Sequence, residues 1–564
     1  MLIRTVMSLG LIICLINGVF AAEVTFTSSN LPIIFIDTGG QSIRDGRRTV
    51  AEMGVIDNGS GERNYVSDSK NNYSGQIAIE LRGSSSLQFP KKQYRFETQD
   101  TSGNNLNVSL LDMPDENDWI LYAPFSDRSL MRNVLAYKLA NDLGEYAPRT
   151  RFVELVLNEE YMGVYVLMEK IKRDRNRINI AEMDTLDNTG DALTGGYIIK
   201  VDKTAGETNS GWTSIYPPYE GTNSKTYYQY HYPRPADITD AQKEYIRDYF
   251  NGFEELMASS GYQHPDTGYA RYLNTDSFID YIIVNEVSKN VDGYRLSAFM
   301  YKDRDSRNGK LTMGPVWDYN LAFGNADYYT AYNPAGFILE YFLNDEEFHQ
   351  SDQFQVPFWW RQLMNDPLFK NRLYKRYWEL RQQELDVGRI LTYINSTANL
   401  LEEAQQRNFQ KWEIFGMYVW PNAYIGVNYE DEMDYLKSWI QDRIEWLDDN
   451  IYQIYTGIEH AQPGIIPGKF TLGQNYPNPF NSGTVIQYTI IGANNYSPLQ
   501  IDLSIYNLLG QKVATLVNKE QAAGSYQVHW DGKDQFNKSV PSGVYIYRLQ
   551  TNNYSSCKKM LYIQ

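Results

Sequence analysis

The sequence predicts an α+β chain in three parts: a β-rich lobe, a helical lobe and a C-terminal β-sandwich. Three observations carry this. Short apolar runs broken by Gly, Asn and Asp dominate from residue 22 to about 205, and apolar spacings of three and four dominate from about Thr239 to Tyr455. After a Pro/Gly stretch, "AQPGIIPG" at 461–468, the chain returns to short strands separated by turns.

At 564 residues the chain exceeds what one compact core accommodates, so several domains are expected. A hydrophobic share of 42% with 14% aromatics is that of a packing protein rather than a disordered one. The formal net charge of −17 argues against a nucleic-acid partner, because phosphate binding draws on lysine and arginine. His231, His264, His349, His460 and His529 are scattered and form no zinc pattern, and no serine or cysteine is set in a nucleophile motif.

The elements follow in order. "MLIRTVMSLGLIICLINGVFAAE" has one arginine, an apolar run and small residues where the run stops, so residues 1–21 read as a signal peptide cleaved after Ala21. Its removal takes Cys14 with it, leaving Cys557 alone and no internal disulfide, and no transmembrane span remains. Residues 22–74 form an N-terminal β segment leading into a domain at 75–455, whose β-rich lobe runs to about 205. "GQIAIELRG", "KKQYRFETQ", "DWILYAPF", "TRFVELVLN", "YMGVYVLMEKI" and "GGYIIKVDK" read as its strands, with one helix between Ser126 and Leu143. In the helical lobe, "LSAFMYKDRDSRNGKLTMGPVWD" is a β-hairpin turned at Asn308-Gly309. A linker at 456–468 precedes the sandwich at 469–564.

The chemistry gathers around that hairpin. Asp292 lies on a loop, "KNVDG", between an apolar helix and the hairpin, and Asp318 follows at the hairpin's other end, in "GPVWDYN". Helix, loop aspartate, hairpin and second aspartate is the layout that protein kinases use, although neither kinase tripeptide is present. Phosphoryl transfer needs one carboxylate to orient or deprotonate a hydroxyl and others to hold Mg²⁺ against phosphates. Asp292 suits the first role, Asp318 the second, and Asn320 offers an oxygen from the same side of an extended segment. In the β lobe, "LRGSSSLQFPKKQY" supplies Arg82, Gly83 and Ser84 on a turn whose N–H groups fit phosphate, with Lys92 after it, and Glu169 and Lys170 end a strand fit to line an adenine pocket.

Together and in order, "LRGSSSLQFPKKQY", "YMGVYVLMEKIKRDRNRI", "GGYIIKVD", "NEVSKNVDG" and "GPVWDYNLAFGN" resemble the spore coat protein H (CotH) family of atypical protein kinases. The resemblance implies a two-lobed kinase-like domain that uses ATP and Mg²⁺ or Mn²⁺ to phosphorylate Ser or Thr of a protein substrate, with Asp292 catalytic and Asp318 binding metal. It also implies an asparagine five residues after the catalytic aspartate and an aspartate after "WDY", as further metal ligands. Ser297 and Asn320 stand at those places here, so the alternative is a weak or inactive kinase-fold surface adhesin. "NYPNPFN" and "GVYIYRL" make the tail resemble the type A sorting domain of the type IX secretion system, an Ig-like or FnIII-like sandwich. That resemblance implies the secretion machinery as a partner and a secreted or cell-surface location.

Overall fold

A computed structural model describes residues 24–204 and 210–454 and, between 471 and 563, all but 482, 491–498, 522–523, 537 and 552–554. The expected signal peptide and linker lie outside the described residues. The chain divides into two compact units, Met1–Asp366 with Glu384–Ile451, and Pro367–Gln383 with Tyr452–Gln564.

In the first unit, β1 (Ser28–Ser29) pairs with β4 (Asn64–Tyr65). Seven further strands close into a barrel: β2 (Ile33–Asp37), β3 (Thr49–Ile56), β5 (Tyr73–Arg82), β6 (Gln93–Gln99), β7 (Asp118–Tyr122), β8 (Thr150–Leu157) and β9 (Glu160–Glu169). The order is β2-β3-β5-β6-β7-β9-β8, and a parallel pairing of β8 with β2 closes the ring. Alternate residues, among them Ile34, Ile36, Met53, Val55, Ile77, Ile79, Val153 and Leu155, share one buried core. A strand period of two places them on one side of the sheet, and closure removes the sheet's open edges.

A second sheet of five strands has the order β11-β12-β10-β13-β14, from β10 (Tyr197–Val201), β11 (Gly211–Thr213), β12 (Tyr227–Tyr232), β13 (Ala298–Lys302) and β14 (Leu311–Met313). This corrects the expectation that "GGYIIKVDK" belongs with the β-rich lobe. That strand pairs with β13, about a hundred residues later, because the hairpin leaves β13 an open edge that β10 fills. The hairpin forms as predicted, but a one-turn 3-10 helix at Asp305–Arg307 precedes its left-handed Asn308.

The helices are α1 (Arg132–Asp142), α2 (Gly190–Leu193), α3 (Asp240–Ala258), α4 (Thr275–Ser288), α5 (Ile338–Asn344), α6 (Glu346–Ser351), α7 (Trp359–Asn365), α8 (Pro367–Arg381), α9 (Val387–Lys411) and α10 (Tyr429–Asn450); α8 belongs to the second unit. Thr239 and Gln242 cap α3 reciprocally, satisfying two of its free N–H groups. α1 starts later than the sequence pattern predicts, because Leu130 has φ 64° and Asp127 takes the Arg132 N–H at 2.8 Å. α1 and α10 both pack on α4, and α9 lies across β9. No helix among the described residues is long and apolar enough to cross a membrane.

Among its described residues the second unit is mixed in content, with α8 and seven strands, β15 (Thr471–Leu472), β16 (Thr484–Ile490), β17 (Leu499–Tyr506), β18 (Lys512–Gln521), β19 (Gly524–Trp530), β20 (Gly543–Gln550) and β21 (Ser555–Tyr562). The strands form sheets of order β15-β16-β19 and β18-β17-β20-β21. Ile501, Leu503 and Ile505, alternating along β17, are buried in one core with Ile486, Trp530 and Tyr547.

Candidate active site

The site begins at one end of the second sheet. β10 and β13 run antiparallel with Val201 opposite Ala298, and β13 and β14 run antiparallel with Met300 opposite Met313. The ladder is extended by Gly314, whose N–H donates to the Phe299 carbonyl at 2.8 Å. Three segments therefore leave the sheet at the same end: Asp202–Lys203 after β10, the loop to β13 that carries Asp292, and the segment after β14 that carries Asp318.

The Asp292 loop is shaped by α4. Lys289 ends the helix in the left-handed region, φ 48°, and the N–H groups of Arg295 and Leu296 donate to the Asp292 carbonyl at 3.0 and 2.8 Å. Tyr281 donates its hydroxyl hydrogen to the Gly293 carbonyl. A Cβ on Gly293 would lie 1.7 Å from Oδ1 of Asn285, so only glycine fits there. The Asp292 carboxylate, its side chain 17% exposed, accepts from Arg295 at 3.1 Å. Arg295 also donates to Asp352 at 2.8 Å and lies against the rings of Tyr329, Phe342 and Phe348. Burial raises the Asp292 carboxyl above its ordinary value, against the opposing pull of Arg295.

Asp318 is held by α1. Its N–H donates to the Tyr137 hydroxyl at 3.2 Å, and the Tyr319 N–H donates to Oδ1 of Asn133 at 2.5 Å. Trp317 stacks on Tyr137 at 6.1 Å, with the Arg82 guanidinium 5.5 Å from the Trp317 ring centre. Asp318 has φ 65°, a strained backbone for a residue with a Cβ and one that recurs at functional sites. Its side chain is exposed to solvent, yet the surrounding protein partly desolvates its carboxyl. Partial loss of water lifts its carboxyl to about 6, the positive field of Arg82 pulling it down and the negative fields of Asp292 and Asp202 pushing it up.

The structure thus brings Arg82, Asp292 and Asp318 into one electrostatic neighbourhood and adds Asp202 and Lys203, which sequence reading passed over. The signal for them was a charged pair ending an apolar strand, uninformative until that strand's partner is known. Ser297, φ 50°, lies next in register to Asp202, one step past the last ladder pair. Asn320 is partly exposed, and its carbonyl accepts from Asn325 at 2.7 Å.

Gly83, φ 120°, opens the turn after β5, where a Cβ would lie 2.0 Å from the Ser86 hydroxyl oxygen; Ser84 beside it is exposed. Lys92 donates to the Leu87 carbonyl at 2.6 Å and closes that turn. Glu169 and Lys170 lie in a different charge cluster. Glu169 is fully buried and accepts from the Arg149 N–H at 2.9 Å, the Arg149 guanidinium at 2.8 Å and the Tyr146 hydroxyl at 3.1 Å, while Lys170 pairs with Asp118 at 3.0 Å. These bonds fasten the strand end to its neighbours.

Among the described residues no group of three or more His, Cys, Asp or Glu side chains is placed to hold a metal ion. The donor set fits Mg²⁺ held in another way, by one or two carboxylates with phosphate oxygens and water supplying the rest. A solvent-open carboxylate whose proton affinity is raised by the negative fields of Asp292 and Asp202 also favours a cation in place of the proton.

No curated protein matches the chain. Among solved structures, dimeric latent PorU from Porphyromonas gingivalis matches at 18% identity and TM-score 0.15, over 17% of this chain and 10% of its own. The alkylpurine DNA glycosylase AlkC of Pseudomonas fluorescens, bound to DNA containing an abasic site analog, matches at 12% identity and TM-score 0.14, over 40% of this chain and 64% of its own. The chain spans a tenth of the first and just under two thirds of the second, and scores this low do not amount to a shared fold. Residues 497–555 match the FlgD Ig-like domain model, in keeping with the β-rich tail. Residues 79–447, more than half of the sequence and all of the Asp292–Asp318 site, match the CotH kinase protein model, and the chain belongs to that family.

Proposed function

We propose that the chain is a two-lobed protein kinase that transfers the γ-phosphoryl group of ATP to a Ser or Thr hydroxyl of a protein substrate. The observation that carries this reading is the exit of Asp292 and Asp318 from one end of one sheet, into the neighbourhood of Arg82. The Asp292 carboxylate orients the acceptor hydroxyl and takes its proton as the new P–O bond forms, and its raised proton affinity suits it to that role. The Asp318 carboxylate, with Asn320 and Ser297, would hold Mg²⁺. Bound there, the cation would neutralise phosphate charge as the bond to the ADP oxygen breaks. Arg82 and Lys203 add positive charge toward the phosphates, and the N–H groups of the Gly83–Ser84 turn are free to cover them.

The signal peptide read at 1–21 and the sorting domain read at 469–564 extend the proposal to export through the type IX system and a secreted or surface location. Incubating the purified chain with γ-labelled ATP, Mg²⁺ or Mn²⁺ and a generic protein substrate tests the activity. Label transferred by the wild type and lost in both Asp292→Asn and Asp318→Ala supports it. Transfer that persists in both variants overturns the assignment.

A further inference from the structure

The loop between α9 and α10 holds large apolar side chains out of the core. Met417, Tyr418 and Trp420 are 57%, 55% and 45% exposed, a concentration that a solvated loop does not need. The backbone beneath them is firmly tied. Buried Arg128 donates to the Ile414 carbonyl at 3.0 Å, to the Met417 carbonyl, and to Oδ1 of Asn422 at 2.7 Å. The Asn422 amide in turn donates to the Ser126 carbonyl at 2.6 Å and to Asn325 at 2.8 Å. The Tyr418 hydroxyl donates to Asp327 at 2.7 Å, and the Asp327 N–H donates to the Pro421 carbonyl at 2.9 Å. Side chains fixed in this way lose little freedom when a partner settles on them.

The loop also reaches the acceptor carboxylate. Trp420 lies parallel to Tyr328 at 6.5 Å, Tyr328 packs edge-on to Tyr329 at 4.9 Å, Tyr329 lies under the Arg295 guanidinium, and Arg295 pairs with Asp292. The two sequence stretches that carry these aromatic side chains hold acidic charge only, the cations near them, Arg128 and Arg295, being buried. Between Lys310 and Arg361 the sequence has no lysine or arginine but seven Asp and Glu, and between Lys411 and Lys437 it again has none but five Asp and Glu. Asp327, Glu413 and Glu430 of these stretches are exposed. An apolar shelf within an acidic surround complements a chain that is apolar and basic.

We propose that Met417, Tyr418, Trp420 and Tyr328 form a docking shelf for the protein substrate, an extended segment that lays a large apolar side chain on the shelf and carries lysine or arginine near its acceptor hydroxyl. This rests on the kinase reading of Asp292, and two measurements keep the claims apart. The first is fluorescence anisotropy of a labelled peptide of serine, leucine and lysine, added to the full chain without nucleotide. Binding that falls about 10-fold in Trp420→Ala and in Met417→Ala, and when leucines become alanine or lysines become glutamate, supports the shelf. Binding unchanged by Trp420→Ala, or equal for the glutamate peptide, overturns it. The second is phosphoryl transfer to the same peptide. A peptide that docks as described and takes no phosphate leaves the shelf standing and overturns the kinase reading. A peptide that is phosphorylated with a KM indifferent to both variants overturns the shelf alone.

Discussion

The Tyr319 hydroxyl donates to Oδ1 of Asn285 at 2.9 Å, and that same oxygen fills the space a side chain on Gly293 would need. One buried amide in the last turn of α4 therefore meets both the neighbour of Asp292 and the neighbour of Asp318, tying the two segments to the same helix. Tyr319→Phe leaves the Asn285 oxygen without this donor in a buried site, at a cost of about 1–3 kcal/mol. Urea denaturation should show that loss together with a lower kcat, while Gly293→Ala, which meets Asn285 directly, should lower kcat further.

How much of this was legible depends on the distance over which each feature is specified. The helix, loop and hairpin that carry Asp292 and Asp318 were readable because they lie within one short stretch. Asp202 was not, because its place depends on β10 pairing with β13 across about a hundred residues, and a strand's sequence does not name its partner. Lys92 and Glu169 read as ligand clamps because they are charged residues at strand ends. The structure gives both of them nearby protein partners, a carbonyl for Lys92 and an arginine and a tyrosine for Glu169, and turn and burial geometry decide between such roles.

Asp318 sets a pH dependence. Its carboxyl is raised from 3.8 to about 6, so between those values the folded chain holds a proton that the unfolded chain has released. Stability on this account is greatest in acid and falls as pH rises through about 6, whereas the ionised form that holds a cation grows over the same range. Asp318→Asn should therefore stabilise the chain at neutral pH, on the order of 1 kcal/mol once solvent screening is allowed for, while abolishing Mg²⁺-dependent nucleotide binding. Thermal denaturation at pH 5 and pH 8, with nucleotide titrations alongside, checks both arms. A variant less stable than wild type at pH 8 would contradict the assigned environment.

Asp292→Asn separates chemistry from binding. Arg295 keeps Asp352 as a partner, so the loop retains its main anchor and the change falls on the acceptor hydroxyl. Turnover should drop by about 10²–10⁴, with ATP affinity nearly intact. Parallel measurement of kcat and of the ATP dissociation constant by calorimetry is decisive, and loss of nucleotide binding in this variant would mean that Asp292 acts on the nucleotide instead.

Ser297 and Asn320 are where the chain departs from the ligands that its family resemblance implies. Ser297 already has φ 50°, a region that asparagine tolerates better than most residues, so Ser297→Asn introduces an amide oxygen without a new backbone penalty. Asn320→Asp adds a charged oxygen on the Asp318 segment, and a hard cation gains more from a carboxylate than from an amide. Without metal the new charge repels Asp318 and should raise its proton affinity further; with metal the repulsion is offset. Asn320→Asp should thus tighten Mg²⁺ binding about 10-fold at pH 8 and show a steeper loss of binding on acidification than wild type. Titrating Mn²⁺ by electron paramagnetic resonance at pH 5.5 and pH 8 reads this without turnover. An affinity indifferent to Asn320→Asp at pH 8 would place the cation away from this segment and leave Asp318 a different role.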